Sequence, residues 1–186
     1  MIEKTEIDGL VIISPKRFAD ERGFFGESWN RRALLDAGLD LPEFVQDNHS
    51  LSHAKGTVRG LHFQSPPHAQ GKLVRCGRGR IFDVAVDARR GSPTYGRWHG
   101  EELSFDNGRQ LWIPSGFLHG FMTLEDESEI VYKCTDHYAP ECDGAVLWDS
   151  VGIVWPEIAG RVVLSEKDAA AQGFGEFESP FVWEES

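Results

Sequence analysis

Lys72-Leu73-Val74-Arg75-Cys76-Gly77-Arg78-Gly79-Arg80-Ile81-Phe82-Asp83-Val84-Ala85-Val86-Asp87 is the stretch on which the fold reading turns. Its second half alternates Phe82, Val84 and Val86 with Asp83, Ala85 and Asp87, the period of two expected of a half-buried strand. The first half, Lys72 to Cys76, has the same strand character. The intervening Gly77-Arg78-Gly79 predicts a turn, so the whole reads as a β-hairpin. Outward from it the pattern repeats. Short strand-like runs start at Leu10, Phe44, Thr57, Leu111, Gly120, Glu129, Ala145 and Ile153, separated by turn residues among the 20 Gly and 9 Pro. Helical signals are few. Asn30 is placed to cap a short helix from Arg31 to Ala37 that stops at Gly38, and residues 165–171 form a second candidate. Many short strands with few helices predict a mainly β fold, a sandwich or barrel, occupying one domain over residues 1–186.

Composition narrows the function. The 30 acidic residues against 19 basic ones give a formal charge of −11, which argues against a general nucleic-acid binder. No run approaches the roughly 18 apolar residues of a membrane span, and the start of the chain lacks the pattern of a signal peptide, so a cytoplasmic protein is expected. Cys76, Cys134 and Cys142 are odd in number and lack a CxxC spacing, which predicts free thiols rather than disulfides or a structural zinc site.

Two of the seven histidines sit in informative settings. His62 closes Gly56-Thr57-Val58-Arg59-Gly60-Leu61-His62, and His119 closes a G-x5-P-x-G-x2-H pattern from Gly108 through Pro114 and Gly116. These segments resemble the two motifs of the cupin superfamily, which implies a jelly-roll barrel. Where a metal-binding cupin carries its next ligand, this chain has Gln64, a poor substitute for imidazole. His62 and His119 therefore read as acid/base or hydrogen-bonding groups, and no metal is expected.

A narrower resemblance covers residues from about 5 to about 170. Phe18 to Ser28, Phe44 to Ser50, Val58-Arg59-Gly60-Leu61-His62-Phe63-Gln64, Ala69-Gln70-Gly71-Lys72-Leu73-Val74-Arg75, Phe82 to Asp87, Gln110 to Gly120, Tyr132-Lys133 and Leu164-Ser165-Glu166-Lys167-Asp168 occur in this order. Together they resemble the dTDP-4-dehydrorhamnose 3,5-epimerases. The resemblance implies a cofactor-independent epimerase acting at C3 and C5 of a nucleotide-linked 4-keto-6-deoxy sugar.

Such chemistry needs a base, a stabiliser for the enolate and an acid on the opposite face. The resemblance implies His62 as base, Asp168 as its carboxylate partner, Tyr132 as acid, and Lys72 with His119 as enolate stabilisers. It implies Arg59, Arg22 and, as the weakest match, Arg75 as diphosphate ligands, whose guanidinium forks suit phosphate oxygens. Glu27, Gln46, Asn48, Glu141 and Lys167 align with further substrate contacts, and Phe18, Phe25 and Tyr138 would wall or stack on the base and sugar. It also implies a homodimer in which N-terminal strands, within about residues 1–50, complete the partner's site. A mono-epimerase inverting C3 or C5 alone, a ketoisomerase relative, a non-catalytic sugar-nucleotide-binding cupin and a metal-dependent cupin oxygenase are the other readings. Residues 173–186 receive no role.

Overall fold

The computed structural model describes residues 1–184. Its strands are β1 Ile2–Lys4, β2 Val11–Ile13, β3 Arg17–Asp20, β4 Gly23–Gly26, β5 Gln46–Ser52, β6 Val58–Gln64, β7 Lys72–Arg78, β8 Arg80–Asp87, β9 Trp98–Ser104, β10 Gln110–Ile113, β11 Phe117–Thr123, β12 Ser128–Cys134 and β13 Asp143–Ala145. Two short helices accompany them, α1 Arg31–Asp36 and α2 Glu166–Ala169. A six-stranded sheet runs β1-β2-β10-β7-β12-β5, and a five-stranded sheet runs β13-β6-β11-β8-β9. β3 and β4 form a separate hairpin. All pairings within the sheets are antiparallel. The architecture is the mainly β, cupin-type jelly roll with a few short helices that the sequence predicts.

The two sheets face each other across a shared core. Ile12, Val74, Leu111 and Ile130 from one sheet meet Ile81, Leu103, Phe117 and Phe121 from the other. Each side chain of this size contributes about 1.5–3 kcal/mol when fully buried.

The structure corrects the opening stretch in two respects. β7 and β8 do not pair: β7 lies between β10 and β12, whereas β8 lies between β11 and β9. Gly77-Arg78-Gly79 is therefore a crossing from one sheet to the other. At Gly79 φ is +73°, and a Cβ there would meet Ser128 Oγ at 2.6 Å. β8 is also buried on both faces. Ile81 and Ala85 face the inter-sheet core, while Val84 and Val86 join Leu61, Leu118, Val146, Phe177 and Phe181 in a second cluster outside the five-stranded sheet. Its carboxylates, Asp83 and Asp87, are fully buried rather than solvated. Asp87 accepts hydrogen bonds from the Arg89 guanidinium and from the hydroxyls of Ser92 and Thr94. Those bonds hold its carboxyl below the usual carboxylate range although burial opposes them.

The tail that the sequence leaves without a role closes this second cluster. Phe177 and Phe181 are buried, Ser179 Oγ donates to the Ala88 carbonyl, and Arg90 N–H donates to the Phe181 carbonyl. Glu185 and Ser186, the end of that tail, lie outside the described residues. The strand-like run at Ile153 is not a strand; Ile153 packs into the same outer cluster. α1 starts where its predicted cap stands, Asn30 accepting from Ala33 N–H at 3.1 Å; the second candidate helix shortens to Glu166–Ala169, with Ser165 as its cap, accepting from Asp168 N–H at 3.1 Å. The three cysteines are free and buried.

Gly79→Ala places a side chain in the left-handed region and against Ser128. The expected loss is about 1–3 kcal/mol of stability, read as a lower urea midpoint with an unchanged m-value.

Candidate active site

The inter-sheet space is apolar at one end and polar at the other, and an irregularity in β6 organises the polar end. His62 pairs with His119 of β11, and Arg59 pairs with Phe121. Between these pairs β6 holds Gly60 and Leu61 against the single Gly120 of β11, a β-bulge. In a regular strand, residues three apart point to opposite faces. The extra residue brings Arg59 and His62 to the inner face and sends Leu61 to the outer cluster. Only glycine fits at the bulge. At Gly60 φ is +128°, and a Cβ would lie 2.5 Å from Gly120 Cα and 2.8 Å from the His119 carbonyl oxygen.

His62 Nε2 lies 2.5 Å from Asp168 Oδ1. An ionised carboxylate only accepts, so Nε2 of the neutral ring carries the proton and Nδ1 keeps its lone pair. Asp168 is held by the first turn of α2, where Ser165 caps its backbone N–H. Burial lowers the His62 pKa; Asp168 opposes the shift, and the nearby charges of Lys72 and Lys167 reinforce it. The result is a neutral imidazole suited to accept a proton near pH 7.

The other wall is the inner face of the six-stranded sheet. Gln46, Cys134 and Lys72 form one cross-strand row; Asn48, Tyr132 and Val74 form the next. Burial raises the Tyr132 pKa, which keeps its phenol protonated. Burial lowers that of Lys72, opposed by Cys134, Asp143 and Asp83. A cavity of about 250 Å3 lies between the walls, lined by Gln46, Asn48, His62, Phe63, Gln64, Gln70, Lys72, Tyr132, Tyr138, Asp143 and Lys167.

Seven sequence-predicted residues thus line one cavity: Gln46, Asn48, His62, Lys72, Tyr132, Tyr138 and Lys167. Asp168 stands directly behind His62. Arg59, on the same face of β6 as His62, is not part of the cavity lining; it donates to Ser52 Oγ and the Leu51 carbonyl, each at 3.1 Å. Tyr138 is exposed at the mouth and is anchored through its N–H to Gln46 Oε1 at 2.9 Å.

Other residues fall elsewhere. His119 does not line the cavity; it is buried, with Nε2 at 2.8 Å from Asp83 Oδ1. Glu141 is exposed in a 3-10 turn outside the cavity lining, and Asp143, two residues on, occupies the wall. Asp143 pairs with Lys167 and accepts from Tyr138 Oη at 3.4 Å. Arg75 has the opposite parity to Lys72 and Val74 on β7 and points to the outer face of its sheet, beside Asp47 and Lys133. Phe18, Arg22, Phe25 and Glu27 do not line the cavity of their own chain. Phe18 and Phe25 lie on the exposed β3–β4 hairpin, Arg22 pairs with Asp20 at its turn, and Glu27 follows β4.

Gln64 is committed to the scaffold: its amide donates to the carbonyls of His68 and His137, and its oxygen accepts from Ala139 N–H. Among the described residues, no three His, Cys, Asp or Glu side chains are grouped as a metal site. Sequence reasoning missed Asp83 and Asp143. Asp83 shares its strand parity with Ile81 and Ala85, so a carboxylate on a core-facing row was the available signal.

A family profile described as dTDP-4-dehydrorhamnose 3,5-epimerase matches residues 4–176. A Shigella flexneri protein named dTDP-4-dehydrorhamnose 3,5-epimerase is 53% identical over 92% of this chain and 94% of its own. The crystal structure of dTDP-6-deoxy-D-glucose-3,5-epimerase from Legionella pneumophila, in complex with dTDP-4-keto-L-rhamnose, superposes with a TM-score of 0.93. It is 45% identical and covers 100% of this chain and 99% of its own. A 3'-monoepimerase from Streptomyces bikiniensis in complex with dTDP-quinovose gives a TM-score of 0.84 at 32% identity, over 92% of this chain and 86% of its own.

The Asp168 contact generates a direct test. In an NMR titration of the imidazoles, His62 titrates below the ordinary value of about 6.5. In Asp168→Asn it titrates lower still, because the carboxylate that favours the imidazolium is gone.

Proposed function

The chain belongs to the dTDP-4-dehydrorhamnose 3,5-epimerase family, and on that premise we propose that it inverts C3 and C5 of a dTDP-linked 4-keto-6-deoxyhexose. One observation carries the mechanism. His62 and Tyr132 line one cavity from two facing sheets, and burial favours the neutral form of each. A sugar ring between them meets a base on one side and an acid on the other.

The ketone at C4 acidifies the neighbouring C–H bonds. His62 Nδ1 takes the proton, and the electron pair moves to the C4 oxygen as an enolate. The Lys72 ammonium meets that developing charge without itself being transferred. Tyr132 Oη then delivers a proton to the carbon from the opposite face. The phenolate is reprotonated from solvent and the imidazolium releases its proton, so the cycle closes with no net change in the protein. No redox group is needed, because the substrate's own carbonyl supplies the activation. Asp168 holds the productive tautomer and stabilises the imidazolium.

Arg59, on the same face of β6 as His62, meets the diphosphate, and Gln46, Asn48, Tyr138, Asp143 and Lys167 frame the path to the sugar. In this reading a second copy supplies Phe18, Arg22, Phe25 and Glu27 to the site. The support is that Phe18 and Phe25 stand 53% and 70% exposed on a hairpin that does not reach its own chain's cavity. Among the described residues no helix is long and apolar enough to cross a membrane.

Incubation with dTDP-4-keto-6-deoxyglucose in heavy water tests the activity. Deuterium at both C3 and C5 is expected by NMR. Label at one carbon alone moves the chain to the mono-epimerase reading, and label at neither, as with a binding-only cupin, overturns the proposal. His62→Ala is expected to abolish incorporation at both carbons. Tyr132→Phe is expected to slow epimer formation by about 10²–10⁴-fold while proton removal persists as exchange with retention; wild-type epimer yield removes Tyr132 from the acid role.

A further inference from the structure

Gln46 and Asn48 are joined to each other in a way that framing a path to the sugar does not require. Along β5 they alternate with the exposed Asp47 and His49, and both face the cavity. Asn48 stands directly opposite Tyr132 of β12, and Gln46 opposite Cys134. Three hydrogen bonds run in series. Tyr138 N–H donates to Gln46 Oε1 at 2.9 Å, Gln46 Nε2 donates to Asn48 Oδ1 at 2.9 Å, and Asn48 Nδ2 donates to Cys134 Sγ at 3.5 Å.

The direction of this series is fixed from one end. A backbone N–H only donates, so Gln46 must turn its oxygen to Tyr138 and its NH2 to Asn48. Asn48 must then turn its oxygen to Gln46 and its NH2 toward β12. An amide NH2 has two hydrogens to donate. Cys134 Sγ takes one as a weak acceptor, and the other is left for the phenol opposite, on the same face. Tyr132 has need of such a donor. Burial keeps its proton on but also resists its release, because the phenolate would be stranded on a desolvated wall. Asn48 of β5 and Arg59 of β6 oppose burial there, whereas Cys134 of β12 and Asp143 of β13 add to it. His62 of β6, Lys72 of β7, Lys167 of α2 and Tyr138 at the mouth are the other titratable groups of the cavity.

We propose that Gln46 is a positioning residue for the proton donor: anchored on the Tyr138 N–H, it locks the Asn48 amide with its NH2 toward Tyr132 Oη, where one N–H stabilises the phenolate left after proton delivery. Gln46 acts on Tyr132 only through Asn48. With the lock removed, Asn48 turns either its oxygen or its NH2 to the phenol, and the donor is lost for part of the time. A hydrogen bond to the charged form favours that form, so losing it makes the phenol a weaker acid. The use made of that proton rests on the epimerase reading, whereas the direction of the chain does not.

The test reads the Tyr132 phenol itself. The three tyrosines, Tyr95, Tyr132 and Tyr138, are replaced by 3-fluorotyrosine in the full-length protein. Fluorine NMR follows each phenol across the alkaline range, with Tyr132→Phe assigning its signal. Gln46→Met keeps the length of the side chain but cannot donate to Asn48. It is expected to raise the Tyr132 midpoint by about half a pH unit, roughly a threefold change in ionisation. In an Asn48→Leu background, where the midpoint is already raised, Gln46→Met is expected to move it no further. A midpoint that Gln46→Met leaves in place overturns the proposal, and so does an equal rise in both backgrounds, which makes the effect of Gln46 independent of Asn48. Should Asn48→Leu fail to fold, Asn48→Ser takes its place with the same outcomes, since its side chain is too short to bridge Gln46 and Tyr132. With dTDP-4-keto-6-deoxyglucose in heavy water, Gln46→Met is expected to lower the ratio of epimer formed to exchange with retention by about threefold, the direction expected of Tyr132→Phe. A raised midpoint with an unchanged ratio supports the chain and rejects Tyr132 as the acid.

Discussion

Two glycine backbones in contact set the geometry of this site. Gly60 and Gly120 approach so closely that neither tolerates a Cβ without displacing the facing strand. That contact accommodates the extra residue in β6, and the extra residue reverses the parity of everything beyond it. Arg59 and His62 then look into the same space, and His62 falls opposite His119. From there Asp168 is reached across 106 positions of sequence through a one-turn helix held by a Ser165 cap. A regular β6 would turn either Arg59 or His62 toward the outer apolar cluster.

Desolvation then does the chemical sorting. It pushes His62, Tyr132 and Lys72 toward their neutral forms, and the consequence differs by residue. A neutral imidazole can act as a base and a neutral phenol as an acid, so burial suits His62 and Tyr132 to the opposite tasks proposed for them. For Lys72 the same force is adverse, and the nearby charges of Cys134, Asp143 and Asp83 oppose it.

The outer face of the five-stranded sheet shows the same economy in apolar terms. β8 is central in its sheet and covered on both sides, which is stable only because the C-terminal segment brings Phe177 and Phe181 over it. Arg89 lies between the rings of Phe117 and Trp183, 4.4 and 4.3 Å from their centroids, while it pairs with Asp87. The tail is thus part of the packing that keeps β8, and Asp83 on it, in place.

Local pattern alone determined the mainly β class, the Asn30 helix cap and the free thiols, because alternation, capping side chains and cysteine spacing are properties of neighbouring residues. The family resemblance carried by the ordered motifs named a set of groups that the fold brings together: His62, Lys72, Tyr132, Gln46, Asn48, Tyr138 and Lys167 share one cavity, with Asp168 behind His62. Tertiary structure decided what depends on distant chain. It turned the expected β7–β8 hairpin into a crossing between sheets, because strand pairing is settled by partners far along the sequence. It set Glu141 in an exposed turn and Asp143 on the cavity wall, and sent Arg75 to the outer face, because position in a turn and parity on a strand are fixed by the fold and not by residue type. It buried Asp83 and Asp87 on a strand that reads as half-solvated, because what covers the second face of a sheet is not encoded in that strand.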